Sequence, residues 1–456
     1  MIVSLASVPD LDALAARHPE RYPYLLKSVP ADGLGDGFDI LFCAPDGALT
    51  LVAEQGRLRL RHEGTAPTPR NDDFLDALND WFRRDQAKGI AAESWPFLGG
   101  WFLYLGYELA QQVEPSLSLP LPEGDPVACA MRVRAAIAVR RGETPEAVIL
   151  AELGEEVGAI VSDCMASCAA VGDCNPIIPE SLTEPDGSAF TTAVQSALEA
   201  ISRGDIYQAN LSRRWSAPCP PEAASTLFQA LNSANPAPFS ALARLPGLTI
   251  ASSSPERLVH SDGAVVATRP IAGTRPRGAT EAEDQRQLEE LREHPKEQAE
   301  HVMLIDLERN DLGRVCRAGS VTVDEYMVIE SYAFVHHIVS NIRGELADGV
   351  LPGDIIRAVF PGGTITGCPK VRCMALIAEL EQRPRGAYTG SLGYLNRDGS
   401  MDLNILIRTL SLADGELSLG AGAGIVADSD PEHELDETRA KARGLLRAVR
   451  AASCAG

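Results

Sequence analysis

The residues FPGGTITGCPKVR (360–372), GAYTGSLGYL (386–395) and GSMDLNILIRTL (399–410) decide how this chain is read. They set a glycine-rich turn, two cations (Lys370 and Arg372), Tyr388 and an arginine inside an apolar run (Arg408) close together in sequence. In MDLNILIRTL the alternation predicts a strand, with Asp402, Asn404, Leu406 and Arg408 on one face and Met401, Leu403, Ile405 and Ile407 on the other. An arginine on such a strand is seldom buried without a partner. It is either half of a structural ion pair or a fork for a substrate carboxylate, whose geometry guanidinium matches.

Around this stretch, 456 residues exceed what one core usually serves, so two lobes are expected. An apolar share of 45% with 23% charged residues describes a soluble globular chain. No run of eighteen apolar residues occurs, and the first twenty residues lack a basic start and a long apolar core, so the expected location is cytoplasmic. The ten cysteines are scattered; Cys164, Cys168 and Cys174 lie closer, yet no second cluster or neighbouring histidine gives metal-like spacing. They read as reduced thiols. A net charge of −22 excludes nucleic acid and anionic membrane surfaces as natural partners.

In chain order, residues 1–145 mix strand-like runs (FDILFCA, ALTLVAE, RLRLRH) with a helical pattern carrying Phe74, Leu75, Leu78, Trp81 and Phe82, and form an expected N-terminal lobe. Residues 146–188, richer in small and polar residues, read as a connecting segment, and 189–456 as a second lobe. There, LTIASSSPERLVHSDGAVVATRPIAGTRPRG gives strands and turns, with Glu256 beside Pro255 as either a solvated loop acid or a functional one. Pro295 opens a helix that puts Glu297 and Glu300 on one face, and the last helix repeats the spacing with Glu434 and Glu437, Lys441 following one turn on. Each pair is a solvated face unless the helices converge, when the acids make an oxygen-rich seat for a hard cation such as Mg²⁺. The strand before that helix carries Gly420, Gly422 and Gly424, which permit close backbone approach; the G-x-G-x-x-G dinucleotide pattern is not met.

From about 189 to 452 these motifs, with DIYQANLSRR (205–214), resemble the chorismate-utilising enzymes, a family that includes anthranilate synthase and isochorismate synthase, and most of all its aminodeoxychorismate synthase component I branch. The resemblance implies an α+β fold of two interlocked lobes, β-sheets packed in the centre and helices outside. It implies amination of chorismate towards 4-aminobenzoate and folate, with ammonia from a separate glutamine amidotransferase subunit. Glu256 matches the general acid for the C4 hydroxyl, a task that needs a raised pKa. His337 would sit beside that hydroxyl. Gly273, Thr274, Thr364, Tyr388, Arg408, Gly422, Gly424 and Lys441 match substrate-binding positions, and Glu300 and Glu437 the Mg²⁺ ligands, with Glu297 and Glu434 beside them. Chorismate is a dianion, so an acidic chain must gather local cations from Arg408, Lys370, Arg372, Lys441 or the metal.

YLLKS (24–28) resembles the family's leucine-leucine-x-serine motif of a tryptophan pocket, which implicates Ser28; Lys27 is unusual there. One position departs in substance. Aminodeoxychorismate synthases carry a nucleophilic lysine after Pro-Ile, whereas residue 272 is alanine, as in anthranilate synthases. A methyl group is no nucleophile, so either ammonia adds at C2 and the product becomes anthranilate, or another group permits substitution at C4. A non-catalytic chorismate binder is the remaining alternative; the four helix acids, Arg408, His337 and Glu256 all being present argues against it.

Overall fold

The computed structural model describes residues 1–29, 37–87, 95–166, 177–332 and 335–454, so Cys168 and Cys174 lie outside the described residues. The periodic runs become the elements they predict: FDILF forms the strand Phe38–Phe42, and the next two runs form Gly47–Glu54 and Arg57–Gly64. The last closes one end of its sheet, where its exposed arginines discourage further pairing. The helix Phe74–Asp85 is capped by Asp73 and buries all five of its expected apolar residues.

The strands assemble into two eleven-stranded antiparallel sheets. Tyr24, Ile40, Phe42 and Ile250 of one sheet and Phe102, Tyr104 and Met131 of the other share a single core, in which the rings of Tyr24 and Phe102 stack 4.2 Å apart. Helices cover the outer faces: Ala224–Ala234 and Pro431–Cys454 pack on the first sheet, Phe74–Asp85 and Pro352–Val359 on the second. The lobes interlock because each sheet takes strands from both parts of the chain. Tyr24–Lys27 pairs with Phe239–Leu245 in the first sheet, and Gly100–Leu105 with Ser391–Asn396 in the second. The segment read as a connector supplies the strand Glu146–Ala151, bound between Ile2–Ser4 and Ala135–Arg140, and then the helix Val157–Ala166. No helix among the described residues is long and apolar enough to cross a membrane.

MDLNILIRTL is not one strand. Met401–Asn404 belongs to the second sheet and Thr409–Ala413 to the first, and the alternation breaks at Ile405–Arg408, where the chain passes between sheets. A second passage runs beside it, from Leu248–Ser254 to Arg257–Ser261, across Pro255 and Glu256. The two are paired on both sides of the gap: Ser252 faces Thr409 before the split, Arg257 faces Asn404 after it, and in the gap the Ile405 N–H donates to the Glu256 carbonyl at 2.9 Å. Proline lacks the N–H that would continue the ladder, so the strands part there. Glu256 and Arg408 are the residues at the parting.

Candidate active site

Glu256 is no solvated loop acid. It is 6% exposed, and its Oε1 has no hydrogen-bond partner among the described residues. Burial pushes its pKa up to about 7, against the pull of Thr364, Arg408 and Lys441. The Thr364 hydroxyl lies close enough to act on it, but it too lacks an oriented hydrogen bond.

His337 stands on Val335–Glu345, opposite Thr274 of Ile271–Pro276. The register slips between Ala272 and Thr274, making Gly273 the bulge residue, and its φ of 72° explains the glycine. His337 Nδ1 lies 3.0 Å from Thr274 Oγ1 and 3.4 Å from the Gly273 carbonyl, which can only accept. The proton therefore belongs on Nδ1, and the buried Nε2, with no partner among the described residues, becomes an acceptor. Burial, with Arg408 nearby, lowers the pKa to about 4, so the ring is neutral at pH 7. The adjacent His336 points the other way, to Ser331 and Asp284. Ala272 is buried and pairs with Ile338.

Of the four local cations, three are already engaged. Lys370 Nζ donates to Asp311 at 2.5 Å, and Arg372 lies between Asp205 and Glu379. Lys441 donates to the Gly422 carbonyl at 3.1 Å and pairs with Glu437 at 2.7 Å. Arg408 makes no ion pair among the described residues; burial lowers its pKa, and the acid whose charge it feels is Glu256. Its φ of 52°, uncommon for a non-glycine residue, follows from the passage between sheets. The structural ion pair on this face belongs instead to Asp402, which holds Arg257 in a fork at 2.8 and 3.0 Å.

The glycine strand Glu416–Ile425 pairs with Gln208–Pro218, and the room left by its missing side chains is taken. A Cβ on Gly420 would lie 2.4 Å from the Tyr388 ring; one on Gly422 would lie 2.8 Å from both the Tyr388 hydroxyl and Asn210 Oδ1. Tyr388 is thus half-buried against the strand, and Gly424 faces Gln208. Asn210 donates to the Thr364 carbonyl at 3.5 Å while its Oδ1 is buried with no partner among the described residues.

The helix acids do not form a ready-made cage. Glu297 Oε1 pairs with Arg275 at 2.7 Å, Glu434 is 8% exposed, Glu300 is half-buried, and no group of three or more His, Cys, Asp or Glu among the described residues could hold a metal. Mg²⁺ suits such a set, since it keeps several waters and takes only one or two carboxylates besides substrate oxygens. The buried Glu297 Oε2, with no partner among the described residues, supports that fit.

Ser28 lines a separate cavity of about 450 Å³ between the sheets, with Leu26, Phe239 and Tyr394 and the pairs Arg257–Asp402 and Arg269–Glu330. Lys27 also borders it, tied to Asp12.

Residues 39–447 match the chorismate binding enzyme model. The chain belongs to the chorismate-binding enzymes. A Synechocystis protein named anthranilate synthase component I-like is 41% identical over 412 residues, 88% of this chain and 83% of its own length. The Bacillus subtilis aminodeoxychorismate synthase component 1 is 40% identical over 423 residues, 89% and 88% of the two chains. Anthranilate synthase component I from Streptococcus pneumoniae superposes with a TM-score of 0.76 at 29% identity, covering 92% of this chain and 94% of that one. More of the similar relatives bear the anthranilate synthase name than the aminodeoxychorismate synthase name.

In this chorismate-binding enzyme the sequence reading missed Glu308 and Thr268, both with a buried, unpartnered side-chain oxygen. A signal existed: Glu308 follows Glu297 by eleven residues on the same helix, three turns along one face.

Proposed function

We propose that this chain is component I of an aminodeoxychorismate synthase, acting on chorismate with ammonia that a separate glutamine amidotransferase subunit releases. The C4–O bond breaks and a C4–N bond forms; Glu256 gives a proton to the departing hydroxyl, ammonia loses one, and water leaves. Neutral His337 accepts from the C4 hydroxyl through Nε2 and orients it, while Arg408 and Tyr388 bind the enolpyruvyl carboxylate. Glu300 and Glu437 would hold Mg²⁺, with Glu297 and Glu434 beside them; when bound, the ion neutralises the ring carboxylate. The observation that carries this reading over anthranilate synthase is Asn210, whose unpartnered amide oxygen borders the space over Gly422, where the resemblance gives anthranilate synthases an apolar side chain.

Ala272 favours the second reading, direct addition of ammonia at C2 and loss of pyruvate to give anthranilate. One assay separates the two: chorismate, Mg²⁺ and ammonium with the purified chain, an aminodeoxychorismate lyase added to half, and chromatography of the products. We expect 4-aminobenzoate only in the lyase half; anthranilate in both halves would establish the second reading. The same assay in EDTA should lose turnover, and unchanged turnover there would remove the metal from the proposal.

The cavity beside Ser28 supports tryptophan as a second ligand, since it joins aromatic walls to paired charges that an amino acid's ammonium and carboxylate can share. Titration calorimetry with tryptophan should give saturable heat that Ser28→Tyr abolishes. No heat with the wild-type chain would leave the cavity a purely structural feature.

A further inference from the structure

The segments carrying Asn210, Thr364 and Tyr388 meet at one buried ion pair that has no part in the chemistry. The strand Gln208–Pro218 lies next to the end of its sheet, and its outer neighbour, Gly367–Cys368, covers only Gln208 and Ala209. Beyond that point side chains stand in for a strand. Arg385 Nη2 donates to the Asn210 carbonyl at 2.6 Å, and the Ser212 N–H and hydroxyl donate to Glu381 Oε1 at 2.8 and 2.9 Å. Arg385 grips both oxygens of Glu381, through Nη2 at 2.7 Å and Nε at 3.1 Å, with the two side chains only 1% and 4% exposed. Its Nη1 donates to the Ile365 carbonyl at 3.2 Å, one residue after Thr364, and to Thr389 Oγ1 at 3.4 Å, one residue after Tyr388. Thr389 is held at a φ of 64°, a left-handed conformation that a β-branched residue rarely adopts, and its N–H donates to the Leu406 carbonyl at 2.8 Å in the passage that carries Arg408.

We propose that Arg385 is a positioning residue for chorismate binding: it touches no substrate and holds the Asn210, Thr364 and Tyr388 segments in register with one another. The proposal rests on the reading of Thr364 and Tyr388 as substrate contacts. A guanidinium offers five N–H donors in a planar fork, and these contacts use all of them. A lysine offers three donors from a single point and cannot span the same oxygens. Glu108, 1% exposed, fixes the turn from the other side, accepting from the N–H groups of Arg385 at 2.7 Å and Gly386 at 3.1 Å. The Tyr107 ring lies 4.8 Å from the guanidinium. Glu256 and His337 take their hydrogen bonds elsewhere, from Ser254 and with Thr274, so the proton-transfer groups stand outside this network.

The test compares the wild type with Arg385→Lys and with the double variant Glu381→Gln/Arg385→Gln, which leaves no buried charge alone. Thermal melting confirms folding. In both variants KM for chorismate should rise by about 10- to 100-fold with kcat little changed, as a misplacement of roughly 1 Å at the contacts would give. The alkaline limb of turnover should stay at its wild-type pH, because Glu256 is untouched. Amide exchange should quicken at Asn210 and Thr389, whose N–H groups join their segments to Thr366 and Leu406. A merely structural Arg385 would lower the melting temperature and leave KM and exchange as they are, which overturns the proposal. If neither variant folds, Arg385 serves the fold itself and the proposal falls. A wild type that consumes no chorismate would overturn the functional reading, and exchange would still report whether Arg385 holds these segments.

Discussion

Glu256→Gln is expected to lower kcat with chorismate by about 10²- to 10⁴-fold, the usual contribution of a positioned general acid. In the wild type the acid must be protonated, so turnover falls as pH rises through about 7. Glutamine keeps the shape but has no proton to give, and that limb disappears from whatever activity is left. Stability should move the opposite way. The folded carboxyl binds its proton up to about pH 7, whereas the ordinary value is 4.5, so the folded state holds more protons between these limits. Its contribution is intact below the ordinary value and is lost as pH rises towards about 7, on the order of 3 kcal/mol by pH 8. A neutral glutamine escapes that loss. The variant should therefore melt at or above the wild-type temperature at pH 8, and a variant that is both inactive and unstable would mean that Glu256 is structural.

Arg408→Ala is expected to raise KM for chorismate by about 30-fold to several thousand-fold, corresponding to roughly 2 to 5 kcal/mol for truncating one partner of a buried charge pair. The free chain contains the other half of the argument. Arg408 is half-buried and makes no ion pair among the described residues, and its burial opposes its charge, Glu256 being the acid that acts on it. Arg408→Lys should recover only part of the loss, because an ammonium keeps the charge and lacks the fork. Alanine and arginine meet the same backbone restriction at a φ of 52°, so melting should change little. A KM that stays at the wild-type value would assign Arg408 to holding the passage between sheets.

On the proposed reading, the two residues explain the form of the site. An acid and a cation stand at neighbouring partings of paired strands, each buried enough to be shifted, and neither neutralises the other by direct contact. Substrate charge can then complete what folding leaves incomplete, at a cost in stability that functional sites commonly carry.

The sequence alone determined what short-range chemistry dictates. Alternating apolar residues specified Phe38–Phe42 and Gly47–Glu54, and helical spacing specified Phe74–Asp85 and its buried face. Proline at a first turn placed the helix with Glu297 and Glu300, and the ordered motifs around Gly362, Tyr388 and Arg408 pointed to the family. Tertiary structure decided everything that depends on which strands become neighbours. MDLNILIRTL reads locally as one strand, yet its halves lie in different sheets, because pairing with the strands flanking Pro255 overrides local periodicity. The same long-range pairing buries Glu256, which no local pattern distinguishes from a solvated turn acid. It also commits Lys370 to Asp311 and leaves Arg408 without an ion pair among the described residues, although both read as equally available cations. A side chain's charge is written in the sequence, whereas its solvation and its partner are set by residues far away in the chain.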